Sequence, residues 1–221
     1  VKSVVFVIRG HRDERQAVWA LYRLRKSYPD SRVVLISDGD DRPVWNFLAN
    51  RYNLEYVAGE CLYPIENNGK LCQRTFEVFL KDPADYLLKI DTDTWVWEPL
   101  TYWPSHRGLF GTVQQSHTLI SIQGGCIGFT RETVEELYAS KVMLDDRISK
   151  NQELWRPKIP KQFQNKVYSK KNMVIEDWLF GWAAKELDMP CYGHPEIKSM
   201  WNEIPIGWKI THPHKYPKPF G

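Results

Sequence analysis

Asp91-Thr92-Asp93 stands at the end of the apolar run Tyr86-Leu87-Leu88-Lys89-Ile90. Two carboxylates at i and i+2 after a buried strand converge on one hard cation if the chain turns there. A divalent ion held that way keeps open positions for the oxygens of a diphosphate. It also neutralises the charge that builds on a departing nucleoside diphosphate. A bare Asp-x-Asp is more often a strand end with solvated acids, so the rest of the chain must decide.

Several other residues could serve the same chemistry. Glu176-Asp177-Trp178 opens a helical stretch. Acids at a helix start are favoured by the dipole. A carboxylate that points outward there can also take a proton from an acceptor hydroxyl as a general base. His212 and His214 are i and i+2 in an extended, proline-bearing tail, so they point to opposite sides. One neutral imidazole can complete the shell of a Mn²⁺ ion. Gly124 and Gly125 remove side chains where something approaches the backbone closely, either a sugar donor or a neighbouring strand at a bulge. Asp38 precedes Gly39 after an apolar strand; it either bonds a nucleobase or ribose or simply forms a turn. Lys70 and Arg74 share one helix face. They either meet phosphates or a base edge or are solvated helix charges. The apolar neighbours of Arg74 favour the first use for that residue.

These residues need a frame. Val4 to Ile8 and Arg32 to Ser37 read as buried strands, Leu54 to Val57 as a short strand, and Asp85 to Ile90 as the strand that delivers Asp91. Between them, helical spacing runs over Asp13 to Ser27, Pro43 to Arg51 and Gly69 to Lys81. Alternation of strand and helix predicts parallel strands with right-handed crossovers and helices on both faces. Ligands of such sheets bind beyond the carboxyl ends of the strands, where Asp38 and Asp91 both fall. Further on, Gly108 to Val113 and Leu119 to Ile122 read as strands. Gln123 to Phe129 is a glycine-rich apolar segment, Thr130 caps a helix through Ala139, and Val174 to Leu187 is helical. Residues 141–172 are basic, polar and proline-containing, a stretch long enough to be a mobile functional loop or an insertion.

Composition sets the outer limits. The chain has 221 residues, 43% of them hydrophobic, enough for one substantial core and one domain. A net charge of +3 does not argue for nucleic acid or an anionic membrane, though it helps recruit a phosphorylated substrate. No apolar stretch reaches the ~18 residues of a spanning helix. Cys61, Cys72, Cys126 and Cys191 form no Cys-x-x-Cys pair, so free thiols and a cytoplasmic location are expected. The ten Trp serve core packing or stack on sugar faces. The start, Val1 to Phe6, reads as a strand rather than a signal peptide. Without an initiator Met, it fits a domain excised from a longer chain.

Taken in order, the motifs carry a resemblance. The apolar strand entering Asp91-Thr92-Asp93 is followed by Gly124-Gly125-Cys126-Ile127-Gly128, then Ile175-Glu176-Asp177-Trp178-Leu179-Phe180-Gly181, then a late His. This series resembles the GT-A glycosyltransferases, in particular the inverting fringe-like branch with its Gly-Gly and Glu-Asp-Val motifs. Each motif is short, and it is their order on a βαβ frame that is specific. Trp178 departs from the small aliphatic residue usual there, and the chain lacks a lumenal cysteine framework. Both point to a compact bacterial or viral type.

The resemblance implies a GT-A, Rossmann-like α/β fold, with a mixed, mostly parallel sheet flanked by helices in a single domain over residues 1–221. Residues 1–93 would form the nucleotide-binding half and residues 94–221 the acceptor half. It implies a metal-dependent inverting transfer of a sugar from a nucleoside-diphosphate sugar, by default a UDP-sugar, to a hydroxyl of a glycan or other acceptor. Asp93, Asp91 and His212 (or His214) would bind Mn²⁺ or Mg²⁺. Arg9, Asp38, Lys70, Arg74, Thr92, Gly124 and Gly125 would line the donor together with the two metal-binding acids. Asp177 would be the base, with Glu176 and Trp178 beside the acceptor.

Two other readings fit parts of the chain. Asp91-Thr92-Asp93-Thr94 also fits the nucleophile motif of haloacid-dehalogenase-like phosphatases, with Asp91 phosphorylated. That motif normally opens the catalytic core, whereas here about 90 residues of strand and helix precede it. A non-catalytic sugar-binding module would use the Trp residues and need neither the acid pair nor a base. Sugar-nucleotide pyrophosphorylases need a Gly-rich basic first loop, and Arg9-Gly10-His11-Arg12 has one Gly.

Overall fold

The computed structural model describes residues 2–10, 14–37, 43–59, 68–115, 119–145, 176–200 and 207–213. The first half alternates as its apolar pattern predicts. Strand β1 (Val4–Gly10) is followed by α1 (Glu14–Ser27), β2 (Arg32–Ser37), α2 (Pro43–Arg51), β3 (Glu55–Val57), α3 (Asn68–Leu80) and β4 (Tyr86–Ile90). Helix α1 buries Ala17, Ala20, Leu21 and Leu24, one stripe at helical spacing. After β4 come β5 (Trp95–Val96), β6 (Leu109–Gln115), β7 (Ile120–Thr130), α4 (Arg131–Ser140), a short 3-10 turn (Val142–Leu144) and α5 (Glu176–Glu186). Strands β8 (Cys191–Gly193), β9 (Ile197–Met200) and β10 (Ile210–Pro213) complete the elements. Thr130 caps α4 by accepting from the Thr133 N–H.

Seven strands form one sheet in the order β3-β2-β1-β4-β7-β6-β8. β1 lies parallel to β2 and β4, and β2 parallel to β3. β7 runs antiparallel to both β4 and β6, while β8 is parallel to β6. Every strand but β7 therefore points the same way, and the sheet is mixed and mostly parallel. Alternate residues of β1 feed two cores. Val5 and Val7 face α3, α4 and α5 on one side. Val4, Phe6 and Ile8 face α1 and α2 on the other.

The expectation of separate segments at 119–122 and 123–129 is corrected. β7 is one strand of 11 residues running through both glycines. Glycine weakens a strand interior, but the stretches on either side of the two glycines are paired, Ile120 to Ile122 with β6 and Cys126 to Thr130 with β4. The register of β7 with β6 shifts between Gly111 and Val113, so Gln123 to Cys126 leave β6 there. On the far side, Phe129 packs edge-on to Phe76 of α3 at 5.7 Å, and Phe76 reaches Phe180 of α5 at 6.2 Å. This aromatic cluster seats α5 against β7. Gly181 allows the close approach, because a Cβ there would lie 2.8 Å from the Ser121 Cβ and 2.9 Å from the Ile120 carbonyl oxygen.

A second sheet has the order β5-β10-β9. It caps the carboxyl end of β4, and its Val96, Ile197 and Ile210 join the core on the α1 side. Among the described residues, no helix is long and apolar enough to cross a membrane.

Candidate metal centre and adjoining carboxyl group

β4 ends at Ile90 and the chain turns at once. The Thr94 N–H donates to the Asp91 carbonyl at 3.1 Å. The Asp91 N–H donates to the Gly125 carbonyl and to the Thr94 hydroxyl, each at 3.1 Å. The Thr94 hydroxyl in turn donates to the Gly125 carbonyl. The turn is thus fastened to β7 by its own backbone and by one side chain.

β10 pairs with β5 so that Thr211 lies opposite Trp95. His212, the next residue, therefore falls beside the Asp91–Thr94 turn. Its Nε2 is 3.0 Å from Asp93 Oδ1 and 3.7 Å from Asp91 Oδ2. Ligand atoms of Asp91, Asp93 and His212 all lie within 4.8 Å of one another. This group can hold a metal ion, with two partly exposed carboxylates and one buried imidazole as donors. Burial disfavours the imidazolium of His212. The hydrogen bond to Asp93 and the charges of Asp91 and Asp93 outweigh it, so the group titrates above its ordinary value.

Behind the turn lies a charged residue that strand periodicity did not single out. Lys89 is 1% exposed, and an isolated ammonium at that depth would be prohibitively costly. Its Nζ donates to Asp91 Oδ1 at 2.5 Å and to the Gly124 carbonyl at 2.9 Å, and lies 3.1 Å from Glu176 Oε2. Burial would lower Lys89, but Asp91 and then Glu176 more than compensate, and it titrates above its ordinary value. Glu176 Oε1 is 2.6 Å from Arg9 Nη1. Arg9 also donates to the Thr75 hydroxyl and to Cys72 Sγ. Four charges thus alternate in sign from Arg9 through Glu176 and Lys89 to Asp91. Burial pushes Asp91 up; Lys89 and His212 pull it further the other way, and it ends lowered.

Asp177 is the second residue of α5. Its Oδ2 accepts from Gln114 Nε2 at 3.1 Å. Its other oxygen lies against Gly124, whose N–H donates to the carboxylate. The Ser121 hydroxyl donates to the Asp177 main-chain carbonyl. Burial, followed by the charge of Glu176, raises Asp177 to about 6. Such a group is ionised at neutral pH and is a better proton acceptor than an ordinary aspartate.

The residues picked out by sequence divide clearly. Asp91, Asp93, Gly124, Gly125, Asp177 and His212 come together at the carboxyl end of β4. Thr92 is half-exposed in the same turn. Arg9 and Glu176 are there too, but turned inward on each other. Trp178 packs partly against the core. Lys70 is exposed on α3. Arg74 lies over Gly59, where a Cβ would strike its guanidinium. Asp38, His214 and most of the basic 141–172 stretch lie outside the described residues.

Lys89, Thr94, Gln114 and Ser121 were missed. Lys89 had a signal, since a lysine inside an apolar strand must find acids; Gln114 and Ser121 had none. A surface hollow of about 370 Å³ lined by Arg25, Arg32 and Glu55 sits at the start of β2, the opposite end of the strands. Burial raises the thiols of Cys72 and Cys191 to about 11 and that of Cys126 to about 12, so none is a ready nucleophile. Comparison with known proteins leaves the geometry to speak for itself: no family model and no curated protein matches this chain.

Proposed function

We propose that the protein is a metal-dependent inverting glycosyltransferase that moves a sugar from a nucleoside-diphosphate sugar to a hydroxyl acceptor. One observation carries the reading. A metal-competent Asp91–Asp93–His212 group and a carboxyl group raised to about 6, Asp177, flank the same two glycines at the carboxyl end of β4. The order of motifs that resembles the GT-A glycosyltransferases is thereby given a spatial rationale, and the mixed, mostly parallel sheet is compatible with that fold.

The donor set suits the proposed metal. Two carboxylate oxygens and one imidazole nitrogen, with no sulfur, fit Mn²⁺, which accepts both donor types, better than Mg²⁺, which seeks oxygen alone. Asp93 and His212 face each other directly, while Asp91 is steadied from behind by Lys89 and offers its second oxygen. When bound, the ion supplies positive charge against a leaving diphosphate.

The chain itself does the rest. Asp177, ionised above about pH 6, takes the proton of the acceptor hydroxyl. Gln114 and Gly124 fix its orientation, so little reorganisation is needed when the proton moves. The hydroxyl oxygen attacks the anomeric carbon as the bond to the diphosphate breaks, and the configuration inverts in one displacement. Gly124 and Gly125, lacking side chains, make room for the Asp177 carboxylate and the His212 ring beside the backbone. A sugar-binding module would have no use for a raised Asp177 beside a metal-competent group.

The test is incubation of the protein with UDP- and GDP-sugars, Mn²⁺ and a panel of glycan acceptors, reading released diphosphate. The reading expects turnover with one donor that Asp177→Asn reduces by about 10²-fold or more. Equal turnover by wild type and variant would overturn the assignment of the base.

A further inference from the structure

Glu176 precedes the proposed base, and its placement gives it a use other than touching an acceptor. Both of its oxygens are taken: Oε1 by Arg9 at 2.6 Å and Oε2 by Lys89 at 3.1 Å. Arg9 comes from β1 and Lys89 from β4, so the first residue of α5 is clamped between two strands of the sheet. Lys89 continues the chain of contacts to Asp91 Oδ1 and to the Gly124 carbonyl. Gly124 then donates its N–H to Asp177. The metal-competent turn and the proposed base are thus joined through one ammonium group and the backbone of one residue, Gly124.

We propose that Glu176 is a positioning residue: clamped by Arg9 and Lys89, it seats the first turn of α5 so that Asp177 lies against Gly124 in fixed relation to Asp91. The inference rests on the reading of Asp177 as the base. A carboxylate serves better here than a neutral amide because both partners are cations. Charge-assisted bonds are about twice as strong as neutral ones, and loss of the negative charge would leave Arg9 and Lys89 facing each other uncompensated.

The groups that act on Asp177 are known. Glu176 on its own helix raises its titration, as does Asp91 at the end of β4. Lys89 of β4 and the Gly124 N–H of β7 lower it. Gln114 of β6 donates to it. The Gln114 side-chain amide is therefore a reporter of Asp177 that needs no substrate.

The experiment follows the Gln114 amide by ¹H–¹⁵N NMR across pH 4 to 8 in the whole protein, as ~0.5 pH steps, with the resonance assigned by its loss in Gln114→Leu. Wild type should titrate near 6. Glu176→Gln should move the midpoint down by roughly one pH unit, because a raising charge is lost and two cations are left behind. Arg9→Met should move it up, because Glu176 then keeps its charge without that partner. If Glu176→Gln fails to fold, Arg9→Met carries the test alone. In the active enzyme the acid limb of kcat should shift with the amide, and kcat for Glu176→Gln should fall about tenfold with little change in donor KM. Unmoved midpoints in folded variants, or shifts of the opposite sign, would overturn the inference. Should no donor be turned over, the transferase reading fails while the amide titration still decides whether Glu176 sets Asp177.

Discussion

Gly125 lies directly against the imidazole of His212, so closely that a Cβ on Gly125 would strike its Cγ. The neighbouring Gly124 stands in the same relation to the carboxylate of Asp177. Each glycine therefore makes room for one functional side chain, and the pair sets the two groups side by side.

Alanine at the two positions should have separable effects. Gly125→Ala should push His212 out of line and weaken Mn²⁺ binding by about 10- to 100-fold, the cost usual for disturbing a metal's supporting shell. Gly124→Ala should displace Asp177 and lower kcat while Mn²⁺ binding stays within a few-fold of wild type. Metal titration and steady-state kinetics on the two variants distinguish these outcomes.

Asp177 should cost the protein stability. Its folded value of about 6 lies above the ordinary carboxylate range, so the folded state holds the proton more tightly than the unfolded state. Its contribution is favourable below about pH 4 and is lost as pH rises through about 6. Asp177→Asn should therefore stabilise the protein by about 1–2 kcal/mol at pH 8 and have little effect at pH 4. Urea unfolding at both pH values checks the sign, and a variant less stable at pH 8 would contradict it.

The same group predicts the pH dependence of turnover. Asp177 must be ionised to accept a proton, so kcat should fall about tenfold per pH unit below about 6. Above that limb the rate should be flat until another group titrates. A pH–rate profile at saturating donor reads this directly.

Glu196 anchors the strand that brings His212 to the turn. It accepts from the Thr101 and Tyr102 N–H groups at 2.8 and 3.1 Å and pairs with Lys209 at 2.6 Å, just before β10. Burial opposes its charge, but the bonds from Lys209 and Thr101 win and hold it down to about 2. Its contribution is present above about 4.5 and fades as pH falls through about 2. Glu196→Ala should lower stability by about 1–3 kcal/mol at pH 7, with the penalty shrinking in acid. Denaturant unfolding at pH 7 and pH 3 checks both parts.

How much was legible in the sequence follows from the range of each interaction. β1, β2, α1 and α2 depend on local apolar spacing, and their bounds agree with the pattern within one or two residues. Asp91 and Asp93 were legible because an acid pair closing a buried strand is a local signal. The partner strand of β5 was not, since β10 lies over a hundred residues away and only tertiary pairing brings Thr211 to Trp95. That pairing is also what brings His212 to the turn. Local propensity divides β7 at its glycines, and the tertiary pairing of the residues that flank them, with β6 before and with β4 after, joins the two pieces. Gln114 sits in an ordinary alternating strand, and nothing nearby in sequence marks its bond to Asp177. Glu176 was placed by motif order beside an acceptor, yet its carboxylate faces Arg9 and Lys89.

The central claim is that Asp91, Asp93 and His212 hold a metal that in turn holds a nucleoside diphosphate. Calorimetric titration of UDP, GDP and phosphate, each with and without Mn²⁺, tests it most directly, on wild type and on Asp93→Asn. The account predicts that one diphosphate binds only with Mn²⁺ and that Asp93→Asn abolishes this binding. No nucleotide binding under either condition, or binding indifferent to both Mn²⁺ and Asp93, would contradict it.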